Sequence, residues 1–301
     1  MQEIIIRAGC FIAIIILGYV LRKVHVFKES DFEVLSKILL KITLPAAIVS
    51  NFVGKEIDPS WLSLALLGIG FGVIHIVLAY VMNKKAGKES QALEMVNAGY
   101  NIGAFTMPFA QGFLGPMGVI ATSLFDVGNA FVCLGGSLGL ASIVKEGGKF
   151  SVKRIVKALV RSVAFDCYII MVILSLTHIT IPRPIVSFAK IVGDANAFVA
   201  MLMIGVGFKL SGDKTQIGRI VRILLVRYGV GAILAVSSYH LLPFPIEVRN
   251  ALVILAFAPF PSSSPAYASE LKGDVGLSSA LNSMSIICSI ILIVLILLFV
   301  I

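Results

Sequence analysis

Two short stretches of this 301-residue sequence concentrate the groups that could hold a small polar molecule. The first, 97–108, carries Asn97, Gly99, Asn101, Gly103 and Pro108, and Gly112 and Gly115 follow it. The second, 259–266, carries Pro259, Pro261, Ser262, Ser263, Ser264 and Pro265. A proline inside a helix removes a backbone donor and clashes with the preceding turn, so the three prolines at 259, 261 and 265 should unwind the chain. Where a helix restarts after such a break, its N-terminus offers free N–H groups and about half a positive charge, which suits a carboxylate. The Asn101 amide and the hydroxyls of Ser262, Ser263 and Ser264 would add donors. The expected substrate is a small organic anion, with Asn101, Gly103, Pro108, Pro259, Ser262, Ser263, Ser264 and Pro265 as its site.

The elements that must position these groups are set by composition. Hydrophobic residues make up 58% of the chain and charged residues 14%, and mean hydropathy is +1.00. An ordinary soluble domain holds about 45–50% apolar and about 25% charged residues, so the surplus requires lipid as solvent. No polar window reaches the roughly 40 residues that an independent module needs, which excludes a soluble catalytic or nucleotide-binding domain. The +9 net charge lies in short clusters between apolar runs, as membrane topology dictates, and nucleic acid is not an expected partner. Cys10, Cys133, Cys167 and Cys288 all fall inside apolar runs, away from disulfide or metal-ligand spacing. The first apolar run is too long for a signal-peptide core and reads as a retained span.

A helix needs about 20 residues to cross the bilayer core. Ten runs qualify, near 4–22, 32–53, 60–82, 91–113, 117–143, 155–177, 184–208, 217–241, 248–271 and 275–300. The connections after spans one, three, five, seven and nine, Lys209 and Lys214 among their bases, hold sixteen Lys and Arg against five at the ends and in the other connections. This places the odd connections in the cytoplasm and both termini outside, in a cell (inner or plasma) membrane. The most basic connection halves the chain: residues 1–143 form a first five-helix repeat, 144–154 a cytoplasmic linker and 155–301 a second repeat. Five spans per half make the second repeat inverted, the plan of many secondary transporters. The fold class is thus an all-α membrane protein of two inverted five-helix repeats. In lipid a broken helix survives only where it lines protein or a cavity, so the breaks in spans four and nine should cross near mid-membrane.

Ionisable groups inside spans are costly and are read for function first. Asp126, with Asn129 a turn later, could bind a coupling cation, carry a proton or pair with a base such as Arg227. Arg227 could neutralise Asp126 or Asp166, or attract the substrate. Asp166 is expected to lie deep in span six. Glu270 lies near the cytoplasmic end of span nine, either solvated or helping to hold a cation. Asn101, the serines, Glu270 and backbone carbonyls could supply oxygen to sodium; sodium and a proton are both open as coupling ions, and no cofactor is expected. His75 reads as a packed, hydrogen-bonded histidine, and Gly68, Gly70, Gly72, Gly205, Gly207, Gly229 and Gly231 as helix-packing surfaces.

The segment Asn101-Ile102-Gly103 through Pro108 is similar to the Asn-x-Gly…Pro pattern of the auxin efflux carrier family, the bacterial permeases and plant PIN-FORMED carriers. Pro259 followed by Ala268-Ser269-Glu270 is similar to that family's Pro…Ala-x-Glu pattern, and Asp126 with Asn129 resembles an Asp-x-x-Asn pair of its bacterial members. The resemblance spans essentially the whole chain. It implies a fold related to the bile-acid sodium symporters, helices four and nine crossing at their prolines, and an elevator-like motion, often in a homodimer. Ser262, Ser263 and Ser264 replace a more apolar or Gly-containing stretch of the plant pattern, and the long plant loop is absent, so auxin is a poor substrate candidate. An enzyme is disfavoured: there is no His-Glu-x-x-His or Gly-x-Ser-x-Gly, and no serine with a Lys or His base at motif spacing. A channel is the weaker rival, because broken helices also line pores.

Overall fold

The computed structural model describes residues 2–208 and 214–301, which leaves Lys209 outside the described residues. All regular structure among them is helical, and they contain no strand. The first half holds α1 (Gln2–Lys23), α2 (Asp31–Ile38), α3 (Leu44–Phe52), α4 (Ser63–Met82), α5 (Lys88–Met95), α6 (Met107–Phe109), α7 (Gly115–Phe131) and α8 (Ser137–Glu146). The second holds α9 (Val152–Leu159), α10 (Val163–Leu176), α11 (Arg183–Asp194), α12 (Asn196–Gly207), α13 (Ile217–Leu241), α14 (Ile246–Ala256), α15 (Ser264–Glu270) and α16 (Val275–Phe299).

Among the described residues, six helical stretches are long and apolar enough to cross a membrane: Gln2–Lys23, Pro59–Met82, Ile102–Glu146, Arg183–Gly207, Ile217–Leu241 and Val275–Phe299. Outward side chains such as Leu66, Val77, Val81, Leu225, Ile233 and Val236 are exposed, as a lipid-facing surface requires. Of the expected runs that miss this set, the second follows one helical path from α2 to α3 through a π-helical turn at Leu39–Thr43, and the others are interrupted. A straight Ile102–Glu146 helix would measure about 68 Å, over twice the bilayer core; Gly115, at φ 65° and ψ −170°, breaks it between the fourth and fifth runs. The 248–271 run divides into α14 and α15.

The sixth run, expected to be straight over 155–177, bends by 76° between α9 and α10. The cause is local. The Ser162 hydroxyl accepts the Phe165 N–H and caps a new helix, while α9 buries Ile155 and Leu159 and exposes Lys153, Arg154 and Lys157. Such a strongly two-faced helix suits an interface. Asp166 therefore sits in the first turn of α10, only half-buried, and not deep in a span.

Hydrogen bonds sort the connections into two groups. Arg22 donates to the carbonyls of Val206 and Phe208, Arg222 to Asn83 and Glu94, and Arg154 to Glu270. These join connections one with seven, three with seven, and five with nine. In the other group, Arg7 donates to Gly112 O and Ser175 to Lys55 O. Among the described residues, no bond of either group links an odd connection to an even one.

Several glycines allow backbones to touch. A Cβ on Gly68 would collide with the Phe125 carbonyl, and one on Gly205 with that of Ile15. Gly231 likewise faces the Ala256 carbonyl, Gly72 and Gly207 are packed by the Val132 and Phe32 side chains, and Gly70 and Gly229 face open space and do not pack as expected.

Candidate functional site

The two broken stretches meet. Residues 96–101 and 257–263 leave the helical path, and the Asn101 N–H donates to Pro259 O at 3.0 Å. The Asn101 side-chain Nδ2 donates to the Ser262 hydroxyl at 2.8 Å. Helical structure restarts at Ile102 and at Ser264, so two helix N-termini begin at this junction. The crossing lies at Asn101 and Pro259. Pro108 does not mark it: it is buried seven residues beyond Asn101, inside the helix, and flanking π-helical turns at Ile102–Thr106 and Ala110–Leu114 accommodate its missing N–H.

Unwound backbone in an apolar core must find partners elsewhere, and here side chains from neighbouring helices supply them. Asn129 of α7 brackets Tyr100, accepting its N–H at 3.0 Å and donating to its carbonyl at 2.9 Å. The Ser264 hydroxyl donates to Val96 O. Around the other break, α16 contributes Ser285, which accepts the Phe260 N–H, Ser289, which donates to Phe257 O, and Asn282, which donates to Pro261 O at 2.9 Å. Gly99 is needed for space, since a Cβ there would strike Cys133 and approach Pro261.

Arg227 of α13 spans both breaks. It is 2% exposed and donates to the carbonyls of Ala98 and Gly99 on one side and Ala258 and Pro259 on the other. Its guanidinium carbon lies 4.0 Å from the Tyr100 ring centroid and 5.0 Å from that of Phe260. Tyr100 also meets His75 Nε2 at 2.9 Å, which fits the packed histidine expected. The expected pairing of Arg227 with Asp126 or Asp166 is not seen: carbonyls and rings take the place of a carboxylate. Asp126 instead accepts from Asn129 Nδ2 at 2.9 Å and from the Tyr168 hydroxyl at 3.0 Å.

A cavity of about 350 Å³ opens beside the crossing, lined by Glu29, Phe32, Asn101, Met203, Ile204, Gly207, Phe208, Ser262, Pro265, Ala266, Ser279, Asn282, Ser283 and Ile286. Its walls combine amides and hydroxyls with apolar side chains, the usual make-up of a small-molecule site. Of the expected residues, Asn101, Ser262 and Pro265 line it; Gly103, Pro108, Pro259, Ser263 and Ser264 do not. Gly103 packs against Leu44. Glu270 is held in a two-pronged pair with Arg154 at 2.7 Å, on the same element as Ser264 but away from the cavity. Among the described residues no cluster of three or more His, Cys, Asp or Glu could hold a metal ion.

The sequence reading overlooked α16. Ser279, Asn282, Ser283 and Ile286 recur at helical spacing on one face, and the first three form a polar stripe in an otherwise apolar span, a signal that could have been read.

No family model matches the chain. Over 252 residues, 82% of this chain and 77% of the relative, it is 23% identical to a protein of Methanothermobacter thermautotrophicus described as an uncharacterized transporter. The all-helical, strongly apolar structure and this distant similarity together support a membrane transporter in general.

Proposed function

We propose that the chain is a secondary transporter or facilitative carrier of a small organic anion, which binds in the cavity beside the crossing and moves by elevator-like alternating access. The observation that carries this reading is the crossing itself: two unwound segments joined by the Asn101 to Pro259 hydrogen bond, with two helix N-termini starting there. Helix N-termini and uncharged donors from Asn101, Ser262, Ser279 and Ser283 suit a carboxylate. Behind them lies the Arg227 charge, linked to Asn101 through their shared acceptor Pro259 O.

The ten-span layout, with two inverted repeats and both termini outside the cytoplasm, is part of the proposal. Its support is the separation of odd from even connections in the hydrogen bonds above and the matching place of the two breaks, each in the fourth span of its half. The motifs around Asn101 and Pro259 favour a kinship with the auxin efflux carriers. A second reading, a sodium-coupled symporter of a larger amphipathic anion, draws on the apolar wall of Phe32, Met203, Ile204, Phe208 and Ile286.

The test is a panel of monocarboxylates and dicarboxylates scored for thermal stabilisation of the purified chain, with and without sodium and across pH. An anion that binds the folded state raises the melting temperature with concentration. Stabilisation by organic cations alone would remove the anion reading.

A further inference from the structure

Four backbone oxygens, two from each unwound segment, converge on one point. They belong to Ala98, Gly99, Ala258 and Pro259, and their distances to the Arg227 guanidinium are 3.1, 2.9, 3.1 and 3.5 Å. Behind the guanidinium, a cavity of about 40 Å³ is lined by His75, Glu94, Asn97 and Arg227 among others. Two buried polar atoms of these lining residues have no hydrogen-bond partner, Asn97 Oδ1 and Arg227 Nε. Converging carbonyls of unwound membrane helices, with an amide oxygen near them, are what an alkali cation takes in place of its hydration shell. In this chain α13 delivers a positive charge to that point on a covalent tether, and no described carboxylate forms an ion pair with it.

We propose that Arg227 is a built-in cation that masks a latent monovalent-cation site at the crossing. The inference rests on reading the crossing as the transport site, and it specifies how that site is charged. A tethered guanidinium holds the two breaks together in the absence of any ion, and its planar fork can reach carbonyls of both segments at once. Once the side chain is truncated, the same oxygens are left around an empty space, continuous with the cavity that Asn97 lines, that a free cation can enter. A residue that merely filled space would leave no such requirement.

The experiment compares the full-length wild type, Arg227→Ala and Arg227→Lys in lipid nanodiscs, with sodium chloride, millimolar guanidinium chloride or choline chloride as the only added salt. Wild type should melt at the same temperature in all three. Arg227→Ala should melt lower in choline and recover by at least about 3 °C in sodium or guanidinium, and its counterflow of a labelled carboxylate should recover with the same salt. Wild type stabilised by sodium over choline as much as the variant would overturn the proposal, and so would a folded Arg227→Ala indifferent to all three. If Arg227→Ala does not insert, Arg227→Lys decides. Its ammonium is itself a tethered cation, so it should insert and melt at one temperature in all three salts; failure to insert, or a rise in sodium or guanidinium over choline, overturns the proposal. Melting is read without substrate, so this result stands apart from whether the chain carries organic anions.

Discussion

The Asn129 side chain makes four hydrogen bonds, two to the backbone of Tyr100, one to Asp126 and one accepted from the Cys133 thiol, and is 2% exposed. Replacing it with alanine leaves a peptide N–H and a carboxylate oxygen without their partner in an apolar core, which should cost about 2–4 kcal/mol. Thermal unfolding of Asn129→Ala in detergent would measure that, and a melting temperature equal to wild type would contradict the account of the break. At this scale the sequence was partly readable. Proline chemistry exposed the second break, and Asn101 stood out as an amide inside a span. The partner of Arg227 was not readable, because spacing gives a charge's depth but not which backbone carbonyls lie free beside it.

Elements bring their own tests. α4 and α7 meet where Gly68 faces the Phe125 carbonyl, while Gly70, two residues on, faces open space. Gly68→Ala must force the helices apart and should cost about 1–3 kcal/mol, whereas Gly70→Ala should stay within about 0.5 kcal/mol of wild type. Equal melting temperatures for the two variants would refute the packing described. At the start of α16, Asp274 accepts the Leu277 N–H at 2.8 Å, and that bond holds its carboxyl below the usual range. A depressed pKa adds stability above the unfolded value of about 3.9 and loses it as pH falls through the folded value. Asp274→Ala should therefore destabilise by about 1 kcal/mol at neutral pH, and the gap should close in acid. Element boundaries were less legible than element existence. Nothing in 155–177 is a Gly or a Pro, so the bend at Ser162 could be recognised only from a serine cap and from the two faces of α9. Pro108, one of the two prolines at which helices four and nine were expected to cross, is absorbed by π-helical turns.

For the molecule as a whole, hydrophobicity and charge told the most: the described residues are helical and apolar outward, and the hydrogen bonds between their connections fall into two groups. The cavity was not visible in that pattern, because it draws on segments far apart in the chain, from Glu29 and Phe32 through Phe208 to Ile286. Those segments surround a crossing whose every described partner serves to hold unwound backbone open beside a solute-sized space. The central claim is that this space is where a carried anion binds. It is tested most directly by counterflow of a labelled carboxylate in proteoliposomes, comparing wild type with Asn101→Ala. The account predicts saturable counterflow by wild type and a loss of about tenfold or more in the correctly inserted variant; unchanged counterflow in Asn101→Ala, or non-saturating currents at channel rates from wild type, would contradict it.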